Sequence, residues 1–386
     1  MSDPLAIYIH VPFCRAKCRY CDFYSVTDLS MIEPFVNAVT REIEQKRETD
    51  RRVHTVYFGG GTPSLLEVRR IEKLLGAVRQ CFDVADDAEV TVEVNPGTVD
   101  KSWFDDLAAI GVNRVNIGVQ SFDDQKLEFL GRIHSADTAT RSVEDAFDAG
   151  IGNVGMDLIY CVPTEDTPAW LADLQTACSF RPSHLSCYTL TFEKGTPLYR
   201  MMETGKTVRM DREEIARRFA ATSRFLTEDG WLHYEISNFA RGEKNRSRHN
   251  MTYWRNLPYT GFGPGAHSFD GWTRSWNLSD VSRYIRELAS GKKPSAGSET
   301  LSTQQRLLET AMVGLRTREG MDLKETESLV GMDFHAFFRP FSGELENRGM
   351  AVSEEGRFFL TLEGMCRLDD IVSAFADRIL SATFSS

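Results

Sequence analysis

The sequence predicts an α/β fold: a parallel sheet curved into a partial barrel of six strand–helix units, followed by a smaller α+β region. Two observations support this. Short apolar runs rich in β-branched residues alternate with amphipathic helical stretches over about the first 190 residues. Beyond them the pattern changes to charged helices and a polar, aromatic segment. Regular strand–helix alternation is typical of parallel sheets, whose functional groups lie at the carboxyl ends of the strands.

Each element of the predicted barrel has its own local pattern. Six short β-rich runs predict strands at 6–11, 53–58, 89–94, 114–117, 153–159 and 184–190. Apolar residues at helical spacing predict helices at 31–47, 68–81, 101–109, 137–149 and 169–177. These elements alternate without interruption, so the first 230 residues are predicted to form one core domain.

The second half of the chain is predicted to form two further parts. Residues 231–290, rich in aromatic residues and glycine, form an extension expected to cover the barrel mouth. A Gly-Lys-Lys-Pro-Ser stretch at 291–295 is typical of a linker. Residues 296–386 form the α+β region, which is predicted to be winged-helix-like. Its predicted elements are helices at 302–315 and 323–329 and a strand at 356–362.

Composition narrows the class of protein. The chain has 386 residues and a formal net charge of −11, which argues against nonspecific binding to nucleic acid or to an anionic membrane surface. No apolar run reaches the length of a membrane helix, and the first residues lack the pattern of a signal peptide. We therefore expect a cytoplasmic protein, peripheral to the membrane only through partners. Cysteines outside the amino-terminal loop are scattered, as expected of free thiols in a reducing compartment.

Three cysteines follow directly on the first predicted strand. Cys14, Cys18 and Cys21 have the spacing CxxxCxxC. Three thiolates so placed could hold three irons of a cubane [4Fe-4S] cluster and leave the fourth iron open to a small molecule. The alternatives are buried thiols or part of a zinc site. A closed zinc site needs four ligands, often as two pairs, and no second CxxC follows in the sequence.

A glycine-rich run and an acidic residue follow the second and third strands. Gly60 and Gly61 lack a Cβ, so a backbone bearing them and Thr62 could approach a ligand closely. Glu93 at a strand end could pair with a ligand ammonium or accept ribose hydroxyls. A flexible turn and an edge-strand carboxylate remain the alternative interpretations.

Three further polar residues belong to the fourth and fifth units. Gln120 ends a strand, where its amide could contact a ribose or an adenine. Arg132 could bind a carboxylate through two hydrogen bonds, or could be a surface charge. Asp157 lies in an otherwise apolar strand, and a buried carboxylate needs a partner.

These motifs, in this order, resemble the radical S-adenosylmethionine (SAM) superfamily in its coproporphyrinogen-dehydrogenase-like branch. Within that branch the sequence is most similar to the HemW-type heme chaperones. Four stretches carry the narrower resemblance: 234–240, the HNxxYW string at 249–254, 261–268, and the Asp22-Phe23 pair. The resemblance covers nearly the whole chain. It implies a partial TIM-like (β/α)6 radical SAM barrel and a HemN-like carboxyl-terminal domain.

The resemblance also implies ligands and partners. It implies a [4Fe-4S] cluster on the three cysteines, SAM, and heme that is delivered to respiratory proteins at the membrane. The oligomeric state is left open, with a homodimer as one option. The residues implied around SAM are Tyr8, Tyr20, Gly60, Gly61, Thr62, Glu93, Gln120, Arg132 and Asp157. His249 is implied as a heme contact. The composition of the aromatic segment adds Tyr253, Trp254 and Phe262 as an apolar slot, His267 as an alternative ligand, and Arg246 or Arg248 as cations for the propionates.

Two departures from the family pattern bear on the reaction. The coproporphyrinogen dehydrogenases have a further cysteine two residues after the third ligand, where this chain has Phe23. Cys161 stands where relatives usually have glycine. The alternatives to a chaperone are a radical SAM methyltransferase, the dehydrogenase itself, and a binding module with a purely structural cluster. Whether SAM is cleaved stays open.

Overall fold

A computed structural model describes residues 4–163, 165–330 and 333–381. Within these ranges, twelve strands form one sheet. The strands are β1 (Leu5–Val11), β2 (Glu48–Gly60), β3 (Phe82–Val94), β4 (Arg114–Gln120), β5 (Asn153–Tyr160), β6 (His184–Thr189), β7 (Leu232–Glu235), β8 (Asn238–Ala240), β9 (Tyr259–Phe262), β10 (His267–Phe269), β11 (Thr273–Asn277) and β12 (Ser295–Thr300).

Helices connect these strands. They are α1 (Ile32–Gln45), α2 (Val68–Cys81), α3 (Lys101–Ala109), α4 (Asp124–Leu130), α5 (Ala136–Asp148), α6 (Thr167–Ser179), α7 (Pro197–Glu203), α8 (Arg212–Glu228), α9 (Arg248–Trp254) and α10 (Val281–Ala289). Strands β1 to β6 lie side by side in chain order, and every neighbouring pair among them is parallel. The predicted α/β fold with a parallel (β/α)6 partial barrel is confirmed.

The two faces of the barrel strands carry different residues. The outward face is apolar: Val56, Val92 and Ile117 are fully buried in the main hydrophobic core under the helices. A helix such as α2 meets this face with Ile71 and Leu74, which recur at helical spacing. Because side chains alternate along a strand, the polar residues between these positions face inward. The barrel interior is therefore polar, which suits a binding site.

Further strands extend the sheet at both sides. Strand β9 pairs parallel with β1, and β10 to β12 continue from it antiparallel, while β8 and β7 follow β6. The predicted linker at 291–295 runs straight into β12, which pairs with β11. That prediction was wrong in part, because residues after the Lys-Lys-Pro stretch continue the sheet as an edge strand.

One buried carboxylate fixes the extension to the barrel. Glu42 of α1 is fully buried and accepts hydrogen bonds from the Gly263 amide at 3.0 Å and Asn277 Nδ2 at 2.8 Å. Tyr284 Oη of α10 donates to the same carboxylate at 2.5 Å, and Lys46 Nζ lies 3.0 Å from it. The loop after β9 is thereby held beside the carboxyl end of β1.

The carboxyl-terminal region has its own core. Its elements are α11 (Thr303–Gly314), β13 (Met321–Asp322), α12 (Leu323–Val330), α13 (Phe334–Asn347), β14 (Ala351–Glu354), β15 (Arg357–Leu360), α14 (Leu362–Met365) and α15 (Leu368–Ser381). Phe338 lies at the centre of an aromatic cluster, with Phe334, Phe358 and Phe375 within 5.3 Å between ring centroids. Phe219 of α8 joins this core and so links it to the barrel. The domain boundaries at 230, 290 and 296 stay predictions.

Candidate functional site

A cavity of about 580 Å³ opens at the carboxyl ends of the barrel strands. Eleven of the thirteen residues predicted from the sequence line it, and Tyr8 and His249 do not. The eleven are Cys14, Cys18, Tyr20, Cys21, Gly60, Gly61, Thr62, Glu93, Gln120, Arg132 and Asp157. The structure thus brings together residues that lie as much as 143 positions apart in the sequence.

The three cysteines form one wall of this cavity, and all are free thiols. The amide of Cys14 bonds to the Val26 carbonyl at 3.0 Å, and that of Cys21 bonds to the Cys18 carbonyl at 3.3 Å. Among the described residues, no three His, Cys, Asp or Glu side chains converge as a single-ion site. A cubane cluster presents a separate iron to each thiolate. Three thiols spread around one cavity fit that requirement.

Two donors from loops of later barrel units point at these sulfurs. Thr62 Oγ1 lies 3.5 Å from the Cys14 sulfur, and an Arg132 guanidinium nitrogen lies 3.5 Å from the Cys18 sulfur. Hydrogen bonds to the sulfurs are one of the means by which a protein tunes an iron–sulfur cluster. Both donors were predicted, from the sequence, to lie around SAM.

The glycine run packs directly against the cysteine loop. Gly60 has φ of +113°, a conformation that L side chains rarely adopt. A Cβ on Gly61 would lie 2.7 Å from the carbonyl oxygen of Phe13, and the Gly61 amide bonds to the Val11 carbonyl at 2.8 Å. The close approach of the two loops therefore requires glycine here.

Arg132 contacts strand β4 and the residue that follows β3, as well as the cysteine loop. One of its nitrogens donates to Asn95 Oδ1 at 2.8 Å and to the Gly118 carbonyl at 2.9 Å. Asn95 in turn donates to Thr62 at 2.8 Å. Sequence analysis did not single out Asn95, although its place directly after a predicted strand end was a usable signal.

The two predicted carboxylates lie deeper in the cavity. Glu93 accepts from Tyr57 Oη at 2.7 Å and from the Gly60 amide at 3.1 Å. Burial, together with the nearby charge of Asp157, raises the pKa of Glu93 to about 7, although both hydrogen bonds oppose the shift. Asn116 Nδ2 donates to Asp157 Oδ2 at 2.6 Å, and burial raises the pKa of Asp157 as well. A cationic ligand would stabilise both ionised carboxylates.

Gln120 and Cys161 lie at the rim in left-handed backbone conformations, with φ of +65° and +62°. Such values are rare for residues other than glycine. The positive φ at Cys161 explains why a glycine would be favourable at this position. Gln120 lines the cavity, as predicted, whereas Cys161 is buried beside it.

A buried ionic cluster, formed by Lys126, Glu165, Asp173 and Arg218, holds the segments that follow these two residues. Asp173 accepts from the Phe122 amide at 2.9 Å, two residues after Gln120. Glu165 accepts from the Cys161 amide at 2.8 Å. Lys126 bridges Glu165 at 2.5 Å and Asp173 at 3.0 Å. Sequence analysis missed this cluster because its members are spread over three helices and one loop.

The two predicted residues outside the cavity lining lie beneath it. The ring of Tyr8 stacks on Tyr57 at 6.1 Å between centroids, and its hydroxyl lies 3.1 Å from His10 Nδ1. The His249 ring stacks on both tyrosines, 4.7 Å from the Tyr57 centroid and 6.2 Å from the Tyr8 centroid. Tyr57, which was not predicted, thus separates His249 from Glu93.

Helix α9, which carries His249, is capped by a barrel residue. The carboxylate of Glu89 accepts from the backbone amides of Arg248 at 3.2 Å and His249 at 3.0 Å. Glu89 lies four residues before Glu93 in β3, towards the amino ends of the strands. This part of the predicted extension therefore lies beneath the cavity and does not cover its mouth.

The predicted heme slot is not assembled in the structure. Phe262 is fully buried in the main core, with its ring 5.9 Å from Phe82. Trp254 packs in a separate cluster with Met251. His249 is 1% exposed, and its nitrogens lie 2.8 Å from Thr55 Oγ1 and 2.9 Å from Tyr253 Oη. Burial lowers the pKa of His249 to about 3, so the ring is neutral.

The comparisons with known proteins agree with the fold. The profile of the Radical SAM superfamily matches residues 8–174, and that of the HemN C-terminal domain matches residues 301–366. The structure is similar to that of "Coproporphyrinogen III oxidase (HemN) from Escherichia coli", with a TM-score of 0.83 and 21% identity. That match covers 97% of this chain and 90% of the other. At this identity the similarity shows the fold alone. In the part of the chain that the structure describes, no helix is long and apolar enough to cross a bilayer.

Relatives that match along nearly their whole length show which family the chain belongs to. The chain is 33% identical to "Heme chaperone HemW" of Synechocystis, over 99% of this chain and 97% of the relative. It is 31% identical to the protein of the same name from Bacillus subtilis, over 96% and 99%. It is also 31% identical to the mitochondrial "Radical S-adenosyl methionine domain-containing protein 1" of Bos taurus, over 99% and 89%. Because these matches span nearly the whole of both chains, the chain belongs to the HemW heme chaperone family of the radical SAM superfamily.

Proposed function

We propose that this protein is a cytoplasmic heme chaperone that binds a [4Fe-4S] cluster, SAM and heme, and delivers heme to respiratory proteins at the membrane. One observation supports the cluster and SAM as ligands: the three cysteines, Glu93, Arg132 and Asp157 all line one cavity. When bound, such a cluster supplies an open iron to which a small molecule can coordinate. The family membership supports heme as the cargo.

The charges of the cavity suit SAM, which carries a sulfonium, an ammonium and a carboxylate. Glu93 and Asp157 are the anionic partners, and Arg132 is the cationic one. Gln120 at the rim offers an amide to the ribose or the adenine. A cavity of about 580 Å³ lies within the usual range for small-molecule sites.

The proposed ligand of the heme iron is one of two histidines, His249 or His267. His249 stays the predicted contact, and its ligation of iron requires Tyr253 to leave Nε2, which lies 2.9 Å from the tyrosine hydroxyl. His267 of β10 is exposed and stacks on Trp276 at 5.9 Å, so it is accessible without rearrangement. Imidazole is a common axial ligand of heme iron.

A heme titration of the anaerobically reconstituted protein tests the proposal. We expect a saturable Soret band, and a transfer of heme to an apo-haemoprotein acceptor. His249→Ala or His267→Ala should shift or weaken the band, whereas the matched control His335→Ala, at an exposed position of α13, should not. Wild-type spectra in both variants would place heme elsewhere, with Cys161 the next position to test.

Two further assays separate the alternatives. With Phe23 in place of a further cysteine, we expect no conversion of coproporphyrinogen III by a preparation that holds both cluster and SAM. Clear formation of protoporphyrinogen would overturn the chaperone in favour of the dehydrogenase. A methylated small-molecule product would favour the methyltransferase.

A further inference from the structure

A second, smaller cavity lies inside the barrel, directly beneath the proposed SAM site. Its volume is about 40 Å³. Glu93, Asn116, Asp157 and Tyr188 line both cavities. The deeper wall is formed by Tyr57, Arg114, His184, Ser186, Ser247 and Asn250. The cavity therefore lies between the carboxylates of the proposed SAM site and the amino-terminal end of α9.

Two buried polar atoms at this cavity lack a hydrogen-bond partner among the described residues. They are Asp157 Oδ1 and His184 Nδ1. The Ser186 hydroxyl, opposite Asp157 on β6, is near enough to lower the pKa of the Asp157 carboxyl but leaves Oδ1 without a partner. His184 is 1% exposed. An unsatisfied buried polar atom costs about 1–3 kcal/mol, and such atoms are usually satisfied by ordered water. Two of them at one polar cavity indicate a bound molecule.

The proton on His184 can be assigned from its neighbours. Burial lowers the pKa of His184 well below its usual value, so the ring is neutral and carries one proton. Its Nε2 lies 2.7 Å from Tyr234 Oη, and that oxygen already accepts from the Ser247 amide at 3.2 Å. The tyrosine proton is then free to donate to Nε2. With Tyr234 as the donor to Nε2, the ring proton of His184 lies on Nδ1, where it is a donor.

We propose that the cavity holds ordered water, which accepts from His184 Nδ1 and donates to Asp157 Oδ1. A cavity of about 40 Å³ has room for one to three waters, and its lining offers more than the two polar partners each needs. The water completes a hydrogen-bonded path from Asp157 through His184 and Tyr234 to the amide of Ser247, which caps α9. His184 is thus a positioning residue for Asp157.

The water site can be tested without any cofactor. In a high-resolution crystal structure of the full chain, we expect a water within hydrogen-bonding distance of both His184 Nδ1 and Asp157 Oδ1. In NMR of protein with ¹⁵N-labelled histidine, His184 should be the neutral tautomer protonated on Nδ1 at pH 7. A dry cavity, or a proton on Nε2, would overturn the proposal.

The expected effect of His184 variants on SAM affinity rests, in addition, on the proposed function. His184→Phe removes the donor, leaves Asp157 Oδ1 unsatisfied, and should weaken SAM binding about tenfold in the reconstituted protein. His184→Gln keeps a donor and should stay within about threefold of wild type. His233→Phe is a control, because His233 is also buried but lies by α8, with Ser223 Oγ at 3.0 Å. Equal SAM affinity in all three variants would exclude His184 as a positioning residue.

These outcomes separate the two proposals. If the wild-type protein bound no SAM, the proposed function would fail. The crystal structure and the NMR spectrum would still show whether the cavity holds water and which nitrogen of His184 carries the proton. If His184→Phe did not fold, the glutamine variant and the wild-type NMR spectrum would decide instead.

Discussion

Gln120 and Cys161 lie at the carboxyl ends of two neighbouring parallel strands in the same left-handed conformation, with φ of +65° and +62°. Each such residue costs on the order of 1–3 kcal/mol and persists only where its surroundings fix it. Here one ionic cluster does so, since Glu165 binds the amide of Cys161 and Asp173 binds the segment after Gln120. The cavity rim is therefore strained and firmly held.

Substitutions of Cys161 measure this strain. Cys161→Gly removes the conformational cost of the positive φ. It also removes a buried side chain and gives the unfolded chain more conformational freedom, and both of these effects destabilise the folded protein. The free energy of unfolding should therefore stay within about 1 kcal/mol of wild type. Cys161→Val places a β-branched residue at positive φ and should lose at least about 2 kcal/mol. Chemical denaturation under anaerobic conditions measures both. An equal loss in the two variants would mean that the thiol contributes through packing and that the strain is small.

The ionic cluster should control both stability and SAM binding. Asp173→Ala leaves the buried Lys126 with one partner fewer and frees the Phe122 amide, and should lower the free energy of unfolding by about 3–5 kcal/mol. SAM affinity should fall as well, because Gln120 is no longer held at the rim. Asp137→Ala is the matched control. It removes an exposed pair with Arg141 on α5 and should cost less than about 1 kcal/mol. If the two variants proved equally stable, the cluster would not support the rim.

Iron content tests the cysteine wall. The reconstituted protein should contain about four irons per chain, as a cubane requires. Cys14→Ala, Cys18→Ala or Cys21→Ala should each abolish the cluster absorbance. Cys81→Ala, a buried thiol of α2 outside the cavity, should keep it. Full retention of iron in Cys18→Ala would contradict the assignment.

The pKa of Glu93 predicts a pH dependence of SAM binding. Burial raises this pKa to about 7, so much of the carboxyl is protonated below that pH. A cationic ligand favours the ionised form, and its binding must then release a proton. Affinity should fall by up to about tenfold for each pH unit below 7 and level off above about 8. Calorimetry in buffers of different ionisation enthalpy measures the proton release.

Glu93→Gln is the control for this pH dependence. The variant should bind SAM more weakly, and its residual pH dependence should reflect Asp157 alone, whose pKa is also raised by burial. A flat profile for the wild-type protein between pH 6 and 8 would remove Glu93 from the site.

The sequence was most informative where the signal was local. All six barrel strands were predicted because each contains a short apolar run, although β2 and β3 begin earlier than predicted, in charged stretches without that pattern. The three cysteines were predicted to lie together because they are close in the chain. Strand β9 was not predicted, since Tyr-Thr-Gly-Phe is short and contains a glycine. Its partner β1 lies about 250 residues away, and no local pattern reports such a pairing.

The position of α9 shows a different limit. The aromatic composition of the segment around His249 suggested a cover over the mouth, yet the helix lies beneath the cavity. Its place is set by Glu89, which binds the backbone amides at its start. A contact between a strand carboxylate and amides 160 positions later depends on the finished barrel. Tyr57 was missed for a similar reason, because its role arises from neighbours on other elements, Glu93 on β3 and His249 on α9.

The pairing of β1 with β9 has a consequence during synthesis of the chain. Ala6 pairs with Tyr259, so the outer edge of the first strand keeps unpaired backbone groups until residues 259–262 have left the ribosome. At about 5–20 residues per second, that delay is on the order of 10 to 50 s. An open edge of this kind can pair with another nascent chain. The barrel of this protein is therefore exposed to aggregation longest at the strand that leads into the cysteine loop.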